Sequence, residues 1–92
     1  MNCFLVERSL PGMTHASLTA LERALREATQ RLTTPSAPVR YLGSVYLPRR
    51  DTCLCLFEAA NLCLVREANE TAQAPFSQIQ EALVRLPDSG TK

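Results

Sequence analysis

Apolar positions alternate in the first residues of the chain, then recur at helical spacing, then alternate again through two segments joined by a turn. Cys3 to Arg8 predicts a short strand, with Cys3 and Leu5 on one face, Phe4 and Val6 on the other, and a stop at Pro11-Gly12. Ser17 to about Leu32 predicts a helix whose apolar stripe is Leu18, Leu21, Leu25, Ala28 and Leu32. Ser17 is the expected N-cap, with Thr19 and Glu22 able to form a capping box slightly later. The run Thr33-Thr34-Pro35-Ser36-Ala37-Pro38 ends that helix. Val39 to Leu47 predicts a second strand. In it Val39, Tyr41, Val45 and Leu47 share one face, Arg40, Leu42, Ser44 and Tyr46 the other, and Gly43 marks a bulge or a close backbone approach.

The turn Pro48-Arg49-Arg50-Asp51 makes a hairpin with a third strand, Thr52 to Glu58. Leu54 and Leu56 face one way in it; Cys53, Cys55 and Phe57 face the other. Asn61 caps a second helix, Leu62 to about Ala72, with Leu64, Val65, Ala68 and Ala72 inward. The last strand falls within Phe76 to Leu86, most firmly over Ile79 to Leu86. The fold expected is therefore α+β, in the order βαββαβ of the ferredoxin-like split βαβ motif: an antiparallel four-stranded sheet with two helices on one face. A two-layer domain covers only one sheet face, yet the first and third strands are apolar on both. That pattern implies a second cover, and a partner subunit is the expected one.

The apolar fraction of 46% in 92 residues fits one globular domain, residues 1–87, with 88–92 a disordered tail. A net charge of +1, with acids and bases interspersed, argues against nucleic acid as a partner. No apolar run reaches the ~18 residues of a membrane span, so no membrane partner is expected. The first residues lack the pattern of a signal peptide, and a cytoplasmic location is the default. In that compartment Cys3, Cys53, Cys55 and Cys63 are expected to be free thiols.

The residues form no complete catalytic set, metal cage or phosphate loop. His15 precedes the first helix in a loop and reads as solvated. Cys63, just after the helix cap Asn61, sees unpaired N–H groups and the positive helix end, which makes it the reactive-thiol candidate; a plain first-turn or interface residue is the simpler reading. Cys53 and Cys55 share a strand face and are soft-metal candidates, although a metal cage would need two more ligands, and packing is the simpler reading. Glu7 and Glu58 end the central strands and are the carboxylate metal candidates; antiparallel pairing sets them at opposite edges, where solvation or a bridge to Arg8, Arg40 or Arg66 is expected. Arg49 and Arg50 read as a solvated turn.

A resemblance adds to these readings. Phe4-Leu5-Val6-Glu7-Arg8 followed by Leu10-Pro11-Gly12, then Val39-Arg40-Tyr41-Leu42, Cys55-Leu56-Phe57-Glu58-Ala59, Val65-Arg66-Glu67-Ala68-Asn69, Ala74-Pro75-Phe76 and Ile79 form an ordered set over residues 3–87. The set resembles the small bacterial nickel-binding-protein-like family of ferredoxin-like domains, mostly of unknown function. The resemblance implies a βαββαβ fold, self-association as a homodimer and, in some members, nickel binding. Members often place a histidine after the aromatic of the second strand, where this chain has Gly43. An imidazole is a natural nickel ligand, so its absence counts against a metal. The resemblance matches Glu7, Arg8 and Glu58 but gives them no role. The first functional expectation is a binding module that holds a metal ion, nickel by the resemblance, or a small ligand between its sheet and a partner copy. One alternative is a small enzyme of the dimeric α+β barrel type (monooxygenase or isomerase), with Tyr41 or Tyr46 as its only candidate group. The other is a structural or regulatory interaction domain that makes contact through Leu62 and Cys63.

Overall fold

The computed structural model of the chain describes residues 2–85, so the segment 88–92 and the end of the last predicted strand at Leu86 lie outside the described residues. The elements run β1 (Asn2–Ser9), α1 (His15–Leu32), β2 (Val39–Leu47), β3 (Thr52–Ala59), α2 (Leu62–Thr71) and β4 (Gln78–Ala82). The sheet order is β2-β3-β1-β4 with every neighbouring pair antiparallel, which is the ferredoxin-like arrangement. β1 and β3 are central, as two strands apolar on both faces should be.

The core lies between one sheet face and the two helices. Phe4 and Val6 from β1, with Cys53, Cys55, Phe57 and Ala59 from β3, meet Leu25 of α1 and Val65 of α2. Tyr41 tilts against Phe57 with ring centroids 5.4 Å apart. These contacts supply the apolar burial that holds both helices to the sheet.

α1 begins earlier than its apolar stripe suggests. Thr14, not Ser17, is the N-cap, and its Oγ1 accepts the Ser17 amide at 3.0 Å. The expected capping box is absent because Thr19 lies inside the helix and donates its hydroxyl back to the His15 carbonyl at 3.1 Å. His15 is therefore the first helical residue rather than a loop residue. α2 starts as the sequence indicates, with Asn61 Oδ1 accepting the Leu64 amide at 3.0 Å.

β2 departs from unbroken alternation. Tyr41 pairs with Phe57 and Gly43 with the next residue back, Leu56, so Leu42 is the extra residue of a bulge. Gly43 takes φ +153°, a backbone that side-chain-bearing residues rarely adopt. Gly43 does mark a bulge, but the inserted residue reverses every face beyond it. Ser44 and Tyr46 turn to the helices opposite Cys55 and Cys53, whereas Val45 and Leu47 join Arg40 on the open face.

β4 is shorter than predicted. It pairs only with β1 and ends at Ala82, and Leu83 beyond it is 82% exposed. An edge strand has one neighbour to hold it, and the helix-like run Gln80-Glu81-Ala82-Leu83 offers few residues for the sheet to bury.

Candidate functional site

The antiparallel register places Cys3, Leu5 and Glu7 of β1 beside Glu58, Leu56 and Leu54 of β3 on the face without helices. Val45 and Leu47 of β2 extend that surface on one side, and Gln78 and Gln80 of β4 on the other. Its centre is apolar and half-buried at Leu5, Leu54 and Leu56; Val45 is 58% exposed. Its ends are polar. Glu58 meets Arg40 at 3.4 Å, and Glu7 accepts a hydrogen bond from Gln78 Nε2 at 2.9 Å. Glu58 lies opposite Cys3, four residues along β1 from Glu7, so the two carboxylates stand roughly 13 Å apart along the strands. One chain does not bring them together.

The helix-facing side carries a buried polar line. Arg8 follows Phe4 and Val6 inward and is 1% exposed. Its Nη1 donates to the carbonyls of Ala74 at 2.9 Å and Pro75 at 3.2 Å, and its Nη2 donates to Asn69 Oδ1. Asn69 is fixed by its own Nδ2 donating to the Val65 carbonyl at 2.8 Å. All three acceptors are neutral, and Arg8 Nε has no partner. The strand-end arginine expected to bridge a glutamate is thus a buried cation without a carboxylate among the described residues. The sequence did hold the signal, since residues 4, 6 and 8 of one strand share a face.

Cys53 lies directly opposite Arg8 across the β1–β3 ladder. Its Sγ is 3.8 Å from Cys55 Sγ, and both residues are fully buried free thiols. Ser44 Oγ donates to Cys55 Sγ at 3.1 Å and shares a hydrogen bond with the Tyr41 hydroxyl. Burial, reinforced by Cys55, pushes the Cys53 thiol up to about 11, while Arg8 pulls the other way. Burial also raises Tyr41, partly offset by its bond to Ser44.

The other candidates lie apart. Cys63 is exposed in the first turn of α2. His15 is exposed at the start of α1, and Arg49 and Arg50 are exposed in the turn after β2. Arg66 stacks over Phe76 at 5.8 Å. A depression of about 250 Å³ lies beside Tyr41, lined also by Arg26, Gln30, Val39 and Arg40. None of those neighbours is a general base at neutral pH. The Tyr46 hydroxyl donates to the Leu10 carbonyl at 3.4 Å. Among the described residues, no three His, Cys, Asp or Glu side chains come together as a metal centre. The described donors of one chain therefore do not fit nickel. No described helix is long and apolar enough to cross a membrane.

These features define a small ferredoxin-like domain with one sheet face packed on helices and the other open and apolar at its centre. Residues 4–81 match the profile of the family described as nickel responsive protein SCO4226-like, and the chain belongs to that family. The crystal structure of SCO4226 from Streptomyces coelicolor A3(2) has the same fold. It superposes with a TM-score of 0.77 at 20% identity, covering 91% of this chain and 99% of that one. No curated protein sequence matches this chain significantly.

Proposed function

We propose that this chain is a binding module that self-associates through its open sheet face and holds a small ligand or metal ion at the resulting seam. The observation that carries the reading is the half-buried strip of Leu5, Leu54 and Leu56, bounded by Glu7, Gln78, Arg40 and Glu58. An apolar centre with a polar rim is the anatomy of an interface between subunits. Nickel is the ion to test because the family is described as nickel responsive. Since the described residues of one chain assemble no nickel centre, such a site draws its donors from two copies, and a two-fold axis doubles Glu7 or Glu58.

Native mass spectrometry of the untagged protein, with and without nickel, tests both parts. The expected species is a dimer that gains the mass of nickel, and Leu56→Glu is expected to leave a folded monomer. A wild-type monomer at micromolar concentration overturns the self-association. A dimer that stays bare removes nickel from the reading.

A further inference from the structure

The buried polar line has no part in the open-face reading. Among the described residues, Arg8 is a guanidinium with neutral acceptors only, an unpartnered Nε and 1% exposure. An ionised group taken out of water without a counter-charge costs several kcal/mol. Cys53 and Cys55 are the anion precursors set against it. Facing residues of an antiparallel pair have Cβ atoms about 5 Å apart, and Cys53 faces Arg8.

We propose that Cys53 and Cys55 form a two-coordinate site for a soft monovalent cation of the copper(I) class, with Arg8 as its built-in counter-ion. Thiolate sulfur is the donor that such cations select. Two metal–sulfur bonds of about 2.3 Å span up to about 4.6 Å, and the sulfurs stand 3.8 Å apart. A linear arrangement would need the pair to open by about 0.8 Å, within reach of rotation about χ1. Binding exchanges the protons of both thiols for the metal, with no change in oxidation state. The product, two thiolates around one monovalent ion, carries one net negative charge, which the Arg8 charge cancels.

Among the described residues, the lack of a third cysteine, histidine or carboxylate nearby narrows the metal. It disfavours zinc and nickel, which want four or more ligands, and leaves ions content with two. Ser44 and Tyr41 lie on the edge-strand side of the pair, and fraying of β2 there is the entry route. This inference is independent of the dimer seam, and either can fail alone.

The test is an anaerobic titration with copper(I) against the chromophoric competitor bathocuproine disulfonate, in a Cys3→Ala/Cys63→Ala background that removes the accessible thiols. The expected result is stoichiometric transfer of copper to the protein with release of both thiol protons. Cys53→Ser and Cys55→Ser, each checked for fold by circular dichroism, are expected to abolish the transfer. Arg8→Lys keeps the charge and is expected to bind. Arg8→Met is expected to weaken binding by about tenfold or more, since it leaves a buried anion uncompensated. No transfer to the background protein overturns the site, as does transfer that survives Cys53→Ser and Cys55→Ser. Unchanged affinity in folded Arg8→Met overturns the counter-ion role, and the cysteine variants still decide the site if that variant does not fold.

Discussion

Replacing Arg8 with methionine keeps most of the side-chain volume and removes the charge and every donor. The three bonds to Asn69, Ala74 and Pro75 go with it. Charge-assisted bonds contribute roughly 1.5–3 kcal/mol each, so the gross loss is roughly 5–9 kcal/mol. Against this stands relief of the guanidinium's burial cost, several kcal/mol after relaxation. The bonds win because two of their three acceptors stay buried and unpaired: Asn69 is wholly inaccessible and Ala74 nearly so. The expected net destabilisation is roughly 2–4 kcal/mol, which lowers Tm by roughly 10–25 °C in a domain of this size. Urea denaturation with a shared m-value is the assay. Hydrogen exchange supplies the local readout, because the Ala74 and Ser77 amides bond to Asn69 and Glu7 carbonyls within the same clamp. Both should lose protection in the variant. An Arg8→Met protein as stable as wild type, or more so, would refute the view that this cation holds the α2–β4 connection in place.

Other outcomes follow from single contacts. Gly43→Ala should cost roughly 1–3 kcal/mol in thermal denaturation, all of it backbone strain, because a Cβ there meets nothing within 4 Å. Gln73 holds φ +55° just past the cap of α2, so Gln73→Gly should raise stability by about 0.5–1 kcal/mol in urea melts. Thr14→Ala should cost about 0.5–2 kcal/mol by removing the α1 cap, and Ser17→Ala much less. The Cys53 thiol has an ordinary value of 9.0 and is pushed up to about 11 in the fold. The folded state therefore holds its proton where the unfolded chain releases it. Stability from this group is complete below pH 9 and falls by roughly 2–3 kcal/mol as pH rises to about 11. Cys53→Ala should lack that decline in denaturation curves taken across the range.

The strand–helix order was legible because each element obeys one period over most of its length. Asn61 was legible as a cap because a polar side chain followed by an apolar periodic run has few other uses. The faces of β2 were not. Gly43 announced a bulge, but alternation cannot say which residue is inserted; once Leu42 is, Ser44 and Tyr46 turn inward and Val45 outward. The start of α1 was missed because Thr14 and Ser17 are both good caps, and only the backbone shows Thr14 accepting the amide. Cys53 and Cys55 were read as soft-metal candidates with packing as the simpler use, and their full burial was legible from the shared inward face of β3. Arg8 was read by its charge rather than by its parity with Phe4 and Val6. Its partners lie 61 to 67 residues away, a separation at which local pattern carries no information.

The place of β1 in the sheet also sets the order of events during synthesis. β1 leaves the ribosome well before its neighbours, β3 and β4, which lie more than 40 residues further along. Pairings so distant in sequence close late and slow the search. Until β3 emerges, β1 and α1 have no sheet to join, and the apolar strand waits unpaired beside the growing chain. β1 and its sheet partners thus come together in a late step, and a released fragment ending in the turn at Pro48–Arg50 should be one that proteases digest freely.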